Sequence, residues 1–261
     1  MEPRLILPLH ARAPSAHDDR ANFPVYADKL ADVYDAIYSG KDYDHDAAYL
    51  LDVIRQHRPG ALTLLETACG TGQFLRRFQP ELSVSGLDIS PGMLARAARR
   101  VPCAELHEGD MAGFSIPKRF DVVCCLFRSI AYVRTTDRLV DAICTMSRHL
   151  APEGIVIIEP FFTPENFWSG KLTSNHYHGD SMDITWMYAS ERPSSQLGRY
   201  PIHVLVGSDT GVEHFVEDHE LGLFTLADFE MAFAQAGLDL VHDPVGPAGT
   251  GLYIGKRSQR E

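Results

Sequence analysis

The segment Leu64–Gly72 reads LLETACGTG. An apolar run ends at Glu66-Thr67, and Gly70 and Gly72 follow at the spacing of a tight strand-to-helix turn. Glycine suits such a turn because a side chain there would clash at positive φ or block a ligand lying on the backbone. A lone G-x-G is weak evidence, but two later segments support it. Asp88 ends the next apolar run, where a carboxylate can accept both hydroxyls of a ribose. Gly109-Asp110-Met111 follows the third run and offers a carboxylate to an adenine amino group and an apolar wall to its ring. A dinucleotide site would want a third glycine where this chain has Leu75, and would set a pyrophosphate at the helix N-terminus. Glu66 would repel that pyrophosphate, whereas a carboxylate there suits a sulfonium nucleoside carrying an ammonium group. The expected cofactor is therefore S-adenosyl-L-methionine, with S-adenosyl-L-homocysteine as its product.

The elements that must hold these residues follow from periodicity. Tyr26, Leu30, Val33, Tyr34, Ile37 and Tyr38 share one face of a helix that Gly40 stops, and a second helix is predicted from about Asp44 to His57. From Leu62 the rhythm changes to strand and helix in alternation. Strands are predicted at 62–67, 83–88, 104–107, 120–127 and 154–159, with helices at 72–78, after Ser90-Pro91, and at 136–150. Ser90 caps its helix, and Pro91 sits where its missing N–H costs nothing. Such alternation implies a parallel sheet covered on both faces. Residues 161–218 break the rhythm with alternating patterns (Ile184, Trp186, Tyr188; Ile202, Val204, Val206), which predict an antiparallel insertion serving as substrate cover or oligomer interface. Thr225 caps a helix over Leu226–Ala236, and 238–242 with 250–255 close the chain as a hairpin. The expected division is a mobile arm at 1–22, a core at 23–160 and 219–261 with a helical lid at 23–58, and the insertion at 161–218.

Composition bounds the partners. The 261 residues carry a net charge of −11, which disfavours a phosphate backbone as substrate, so no nucleic acid is expected. No apolar run is long enough to span a membrane, and because Pro8 breaks the N-terminal Leu5–Leu9 stretch, no signal peptide is expected. Five cysteines without framework spacing read as reduced thiols in a cytoplasmic protein. Cys124-Cys125 read as core packing. His176, His178 and Asp180 could bind a metal only with further convergent ligands, so no metal is expected.

With these motifs in view, the chain from Tyr26 to Gly255 resembles the class I S-adenosylmethionine-dependent methyltransferases that N,N-dimethylate TDP-amino sugars of the desosamine and mycaminose type. It is also similar to the lincosamide N-methyltransferases. The resemblance is carried by LADVYDAIYSGKDY (30–43), LLETACGTG (64–72), GLDIS (86–90), HEGDM (107–111), LFRSIAYV (126–133), EPFFTPENF (159–167), HELGLFTLADFEMAFAQAGL (219–238) and VGPAGTGLYIG (245–255). It implies a Rossmann-like α/β fold with a seven-stranded mixed sheet, an N-terminal helical lid and an antiparallel β insertion. It implies that Tyr26, Tyr34, Glu66, Ala68, Gly70, Gly72, Asp88, Ile89, Asp110, Met111 and Leu126 hold the cofactor. On the acceptor side it points to Tyr43, Arg128, Tyr132, Phe161, Phe162 and Thr250, with Tyr26, Tyr34 and Tyr132 as the catalytic set. Tyr132 stands where some relatives have histidine, Phe161 and Phe162 where they have a Trp-Trp pair, Thr250 where they have arginine, and Arg128 where they have serine.

The resemblance implies transfer of a methyl group to an amine nitrogen of a small secondary-metabolite substrate, by a homo-oligomer. The activated sulfonium leaves the protein mainly to align the nucleophile and exclude water. A phenol with a pKa of about 10 is a poor base near neutrality, so Tyr132 is expected to orient the amine while water takes its proton. Two alternatives stay open on sequence: O-methylation of a natural-product hydroxyl, and a cofactor-binding or cyclase protein on the same fold that transfers no methyl. His219 reads as a structural histidine before a substrate contact.

Overall fold

The structure is a computed structural model and describes residues 28–258. The expected arm and Tyr26 lie outside the described residues. Two helices come first: α1 (Asp28–Ile37) and α2 (Tyr43–His57), the latter capped by the Asp42 carboxylate on the His45 N–H. Alternation follows as β1 (Thr63–Thr67), α3 (Gln73–Phe78), β2 (Ser83–Asp88), α4 (Pro91–Arg100), β3 (Glu105–Glu108), β4 (Phe120–Cys125), a 3-10 turn (Ser129–Val133), α5 (Thr136–Arg148) and β5 (Leu150–Ile158). Five antiparallel strands come next: β6 (Leu172–His178), β7 (Asp183–Ala189), β8 (Glu191–Ser194), β9 (Leu197–Ser208) and β10 (Gly211–Gly222). The chain ends with α6 (Leu226–Gln235), β11 (Leu238–Asp243) and β12 (Leu252–Arg257).

The first sheet has seven strands in the order β11-β12-β5-β4-β1-β2-β3, parallel except for β12, which runs antiparallel to both of its neighbours. This is the mixed Rossmann-like sheet that the sequence resemblance implies. Its central strands are apolar on both faces because each face is covered. Leu65, Val123, Cys125, Val156 and Ile158 pack with Leu139, Ile143, Phe229 and Phe233 of α5 and α6. Leu64, Val122, Cys124, Ile155 and Ile157 pack with Leu50, Ile54, Phe74 and Phe78 of α2 and α3. Each fully buried side chain of this kind contributes about 1.5–3 kcal/mol. Period 2 along the strands thus puts Cys124 and Cys125 into opposite halves of the core, and both are free thiols.

The second sheet has the order β10-β9-β7-β6, with β8 pairing β9. It is the antiparallel insertion, but its last strand continues to Gly222, four residues past the expected boundary at 218. One face carries Ile184 and Val204 against Val33 of α1, with Trp186, Ile202 and Val206 beside them. The opposite face exposes Leu172, Met187, Leu205, Val212 and Val216. Two other expectations shift. The strand predicted at 154–159 begins at Leu150, with an irregular register and Glu153 at φ 59° absorbing the Pro-Glu-Gly stretch. The strand predicted over 120–127 stops at Cys125, because Phe127 and Arg128 both take left-handed backbone. Among the described residues no helix is long and apolar enough to cross a membrane.

Gly255 on β12 shows how closely α6 sits on the sheet, since a Cβ there would overlap the fully buried ring of Phe233. Gly255→Ala is therefore expected to cost about 1–3 kcal/mol through overpacking, read as a lower urea midpoint with an unchanged slope.

Candidate active site

The glycine turn opens a cavity at the C-terminal ends of β1, β2 and β3, where an open α/β sheet binds ligands. Ala68, Gly70 and Gly72 all adopt positive φ, at 53°, 54° and 76°. The turn is locked by Asp88, whose carboxylate accepts the Gly70 N–H at 2.8 Å and the Ser90 N–H at 2.9 Å. Ala68, Gly70, Asp88, Ile89, Asp110 and Met111 line a cavity, together with Tyr34, Met93, Gly109, Ser129, Tyr132 and Val133.

Its electrostatics favour a cation. Burial raises the pKa of Glu66 well above the usual carboxylate range, and the nearby Asp88 charge raises it further. Asp88 is itself raised by burial, against the pull of the backbone N–H groups it accepts. Glu66 Oε2 is buried with no hydrogen-bond partner. Two closely placed buried carboxylates, one with an unused oxygen, fit a sulfonium and an ammonium and disfavour pyrophosphate. Asp110 accepts the Ala112 N–H at 2.9 Å and is ion-paired with Arg138, a partner that sequence reasoning missed.

A second and larger cavity adjoins the first. Tyr34, Ser129 and Tyr132 line both. Its walls hold Arg128, Phe161 and Phe162 from the sequence-derived set, and also Tyr38, Phe127, Trp186, Tyr188, Tyr200, Glu217 and His219. The insertion sheet supplies many of these by simple alternation: Tyr200 and Ile202 on β9, Glu217, His219 and Leu221 on β10. The Tyr132 hydroxyl lies 2.8 Å from His219 Nδ1. Burial lowers the His219 pKa to about 4, so its ring is neutral near neutrality. The alternating parity from Phe215 to Leu221 is the signal that could have placed Glu217 and His219 on this wall.

The lid is fastened to the glycine turn by Asp35. Its carboxylate accepts from Thr71 Oγ1 at 2.8 Å, Gln73 Nε2 at 3.0 Å and Arg100 at 2.6 Å. Burial pushes the Asp35 pKa up, but these three donors outweigh it and hold the carboxyl below its usual range. The neighbouring Tyr34 is thereby set at the junction of the two cavities, and burial keeps its phenol neutral.

Five expected residues lie outside the lining of both cavities. Tyr43 is buried in the core, its ring 5.2 Å from Phe74 and 6.2 Å from Phe127, because its position at the start of α2 turns it inward. Leu126 is also core. Glu66 sits behind the glycine turn, and Gly72 caps α3, where a Cβ would press on Ala97 at 3.2 Å. Thr250 lies in the β11–β12 loop between Gly249 and Gly251, both at positive φ. His176 and His178 do approach a carboxylate, but it is Asp183 on the paired strand rather than Asp180; the three are exposed on the outward face of the insertion sheet.

Residues 64–154 match the family described as a methyltransferase domain. The chain is 39% identical over 234 residues to a dTDP-3-amino-3,6-dideoxy-alpha-D-glucopyranose N,N-dimethyltransferase of Streptomyces fradiae, covering 88% of this chain and 91% of the relative. The crystal structure of DesVI from Streptomyces venezuelae superposes with a TM-score of 0.83 at 37% identity, over 87% of this chain and 98% of that one. The S-adenosylmethionine-bound amino pentose methyltransferase from Micromonospora echinaspora gives 0.79 at 34% identity, over 87% and 97%. With one cavity at the glycine turn adjoining a second, ring-lined cavity, and with relatives of this closeness along nearly its whole length, the chain belongs to the class I S-adenosylmethionine-dependent N-methyltransferases, in the family that includes the dTDP-amino-sugar N,N-dimethyltransferases.

Proposed function

We propose that the methyl acceptor is the amino group of a nucleotide-linked amino sugar, methylated in one or two rounds. The observation that carries this reading is the adjoining pair of cavities, which share Tyr34, Ser129 and Tyr132 as their common wall. Ala68, Gly70, Asp88, Ile89, Asp110 and Met111 would hold the cofactor, and a bound cation would favour the charged form of the buried Glu66 carboxyl behind them. When bound, the cofactor supplies an electrophilic methyl group on a sulfonium. The outward apolar residues of the insertion sheet support a homo-oligomer.

The side chains at the common wall orient rather than abstract. In the tautomer that carries its proton on Nε2, neutral His219 accepts a hydrogen bond from the Tyr132 hydroxyl at Nδ1, and the phenol oxygen would accept in turn from an amine N–H of the acceptor. That bond turns the nitrogen lone pair towards the donor cavity. A histidine whose pKa is about 4 is too weak a base to remove the ammonium proton, which passes to water before the acceptor is aligned. The ring-lined cavity walls then keep water from the reacting centre.

Three measurements test this account. Incubation with S-adenosylmethionine and a panel of TDP-amino sugars should add one or two CH2 units to an acceptor, read by mass; no gain on any amine would sink the acceptor assignment. Tyr132→Phe should keep more than about a tenth of the wild-type kcat, with the loss chiefly in KM and an unchanged pH profile. A fall of several powers of ten in kcat with unchanged KM would instead make Tyr132 a base. The third concerns stability. The folded pKa of His219 is below its unfolded value of about 6.5, so the unfolded chain binds more protons between the two. Its contribution is complete above about pH 6.5 and is lost as the pH falls towards 4. Buried Asp88, Glu66 and Glu159, whose pKa values are raised, act in the opposite sense. The readout is therefore the difference between proteins: His219→Gln should lose less stability than wild type over that window in urea titrations.

A further inference from the structure

Arg128 is the feature of the acceptor cavity that methyl transfer to an amine does not require. Its backbone sits at φ 63°, directly after Phe127 at φ 52°. Two successive non-glycine residues in the left-handed region are strained and persist only when neighbours hold them. The neighbour here is Glu159, which is fully buried and accepts the Phe127 N–H at 2.7 Å. The strained pair aims the Arg128 side chain into the acceptor cavity. There the guanidinium is underused. Its Nε is buried without a hydrogen-bond partner, and the nearest carboxylate oxygen, Glu159 Oε1, is 3.9 Å away, beyond hydrogen-bond reach. Glu159 therefore balances its charge without occupying its donors.

Among the described residues that line this cavity, Arg128 is the one arginine or lysine. An acceptor that needed only to present an amine would gain nothing from a cation close by, because like charge disfavours binding of the ammonium form. A cation with spare donors in a ring-lined cavity suits an acceptor that carries an anion as well as an amine. Its planar fork matches phosphate oxygens, and the surrounding rings offer stacking surface to a base. The protein carries a net charge of −11, so a local cation is needed if a polyanion is to enter at all.

We infer that Arg128 is the phosphate-binding residue of the acceptor site, holding the diphosphate of a nucleoside-diphosphate-linked amine from the wall contributed by the end of β4. The inference rests on the amino-sugar reading above and narrows it to acceptors bearing a diphosphate. Thr250, the position expected on sequence to serve the acceptor, lines neither cavity and supplies no charge.

The test uses the full chain with dTDP as probe, by calorimetry in the presence of saturating S-adenosylhomocysteine. Wild type should bind dTDP at least tenfold more tightly than thymidine. Arg128→Met should lose at least tenfold in dTDP affinity with thymidine affinity unchanged, and Arg128→Lys should fall between, keeping charge without the fork. S-adenosylhomocysteine affinity and melting temperature report whether each variant is folded, and Arg128→Lys carries the comparison if Arg128→Met is unstable. Equal binding of dTDP and thymidine by wild type overturns the inference, as does undiminished dTDP binding by a folded Arg128→Met. If wild type ignores dTDP yet methylates a phosphate-free amine, the inference fails while N-methylation stands. If dTDP binds as expected but no amino sugar is methylated, the amino-sugar reading fails and the phosphate assignment survives.

Discussion

The Asp88 carboxylate accepting the Gly70 N–H is the contact on which the remainder of the site is built. It joins the end of β2 to the left-handed turn after β1, so two adjacent strands present one continuous rim. A second bond from the Ser90 N–H fixes the entry of α4 against the same carboxylate. Buried N–H groups without partners cost about 1–3 kcal/mol each, so the carboxylate stabilises the turn as well as shaping it. That dual use explains why a carboxylate tolerates a site that raises its pKa. Its backbone donors oppose the burial that pushes it up.

From this rim the structure reaches outward through two fasteners. Asp35 ties the lid helix α1 to Thr71 and Gln73 of the glycine turn and to Arg100 of α4. Tyr34 follows from that clamp, because it is the adjacent residue on a helix whose other face packs Val33 against the insertion sheet. Glu159 is the second fastener and holds the reversal after β4. The lid and the insertion thus meet at the second cavity, while half-buried Asp35 holds the lid and buried Glu159 holds the reversal.

How much of this was legible depends on the range of the interaction that decides each residue. The parallel strands could be read because Leu64-Leu65, Val122-Val123 and Ile155–Ile158 are apolar on both faces, which only a covered sheet allows. The cavity face of the insertion was visible in Ile184, Trp186, Tyr188 and in Ile202, Val204, Val206. The residues that line the first cavity were legible because strand ends and glycine turns are local features. The acceptor side was harder. Tyr43 looked like a substrate contact, yet tertiary packing turned it into the core against Phe74. His219 could not be paired with Tyr132 from sequence, since they stand 87 residues apart and meet only when β10 lies against the 3-10 turn. The reversal at Phe127-Arg128 carries no glycine, so no turn signal announced it.

That reversal has the largest consequence for chemistry. β4 ends at Cys125, Leu126 drops into the core, and the chain then folds back through two left-handed residues into Ser129–Val133. The short helical turn becomes the wall between donor and acceptor, presenting Ser129 and Tyr132 to both cavities and Val133 to the donor cavity alone. Had β4 continued to Phe127 as its sequence suggests, these residues would point along the sheet edge. Strain at the reversal is thus coupled to the position of Tyr132 on the wall between the cavities, and the buried carboxylate of Glu159 holds it. The same carboxylate lies 3.9 Å from Arg128. A single acid therefore helps to set the geometry of that wall and the charge balance of the cation beside it, so the two cannot vary independently in this fold.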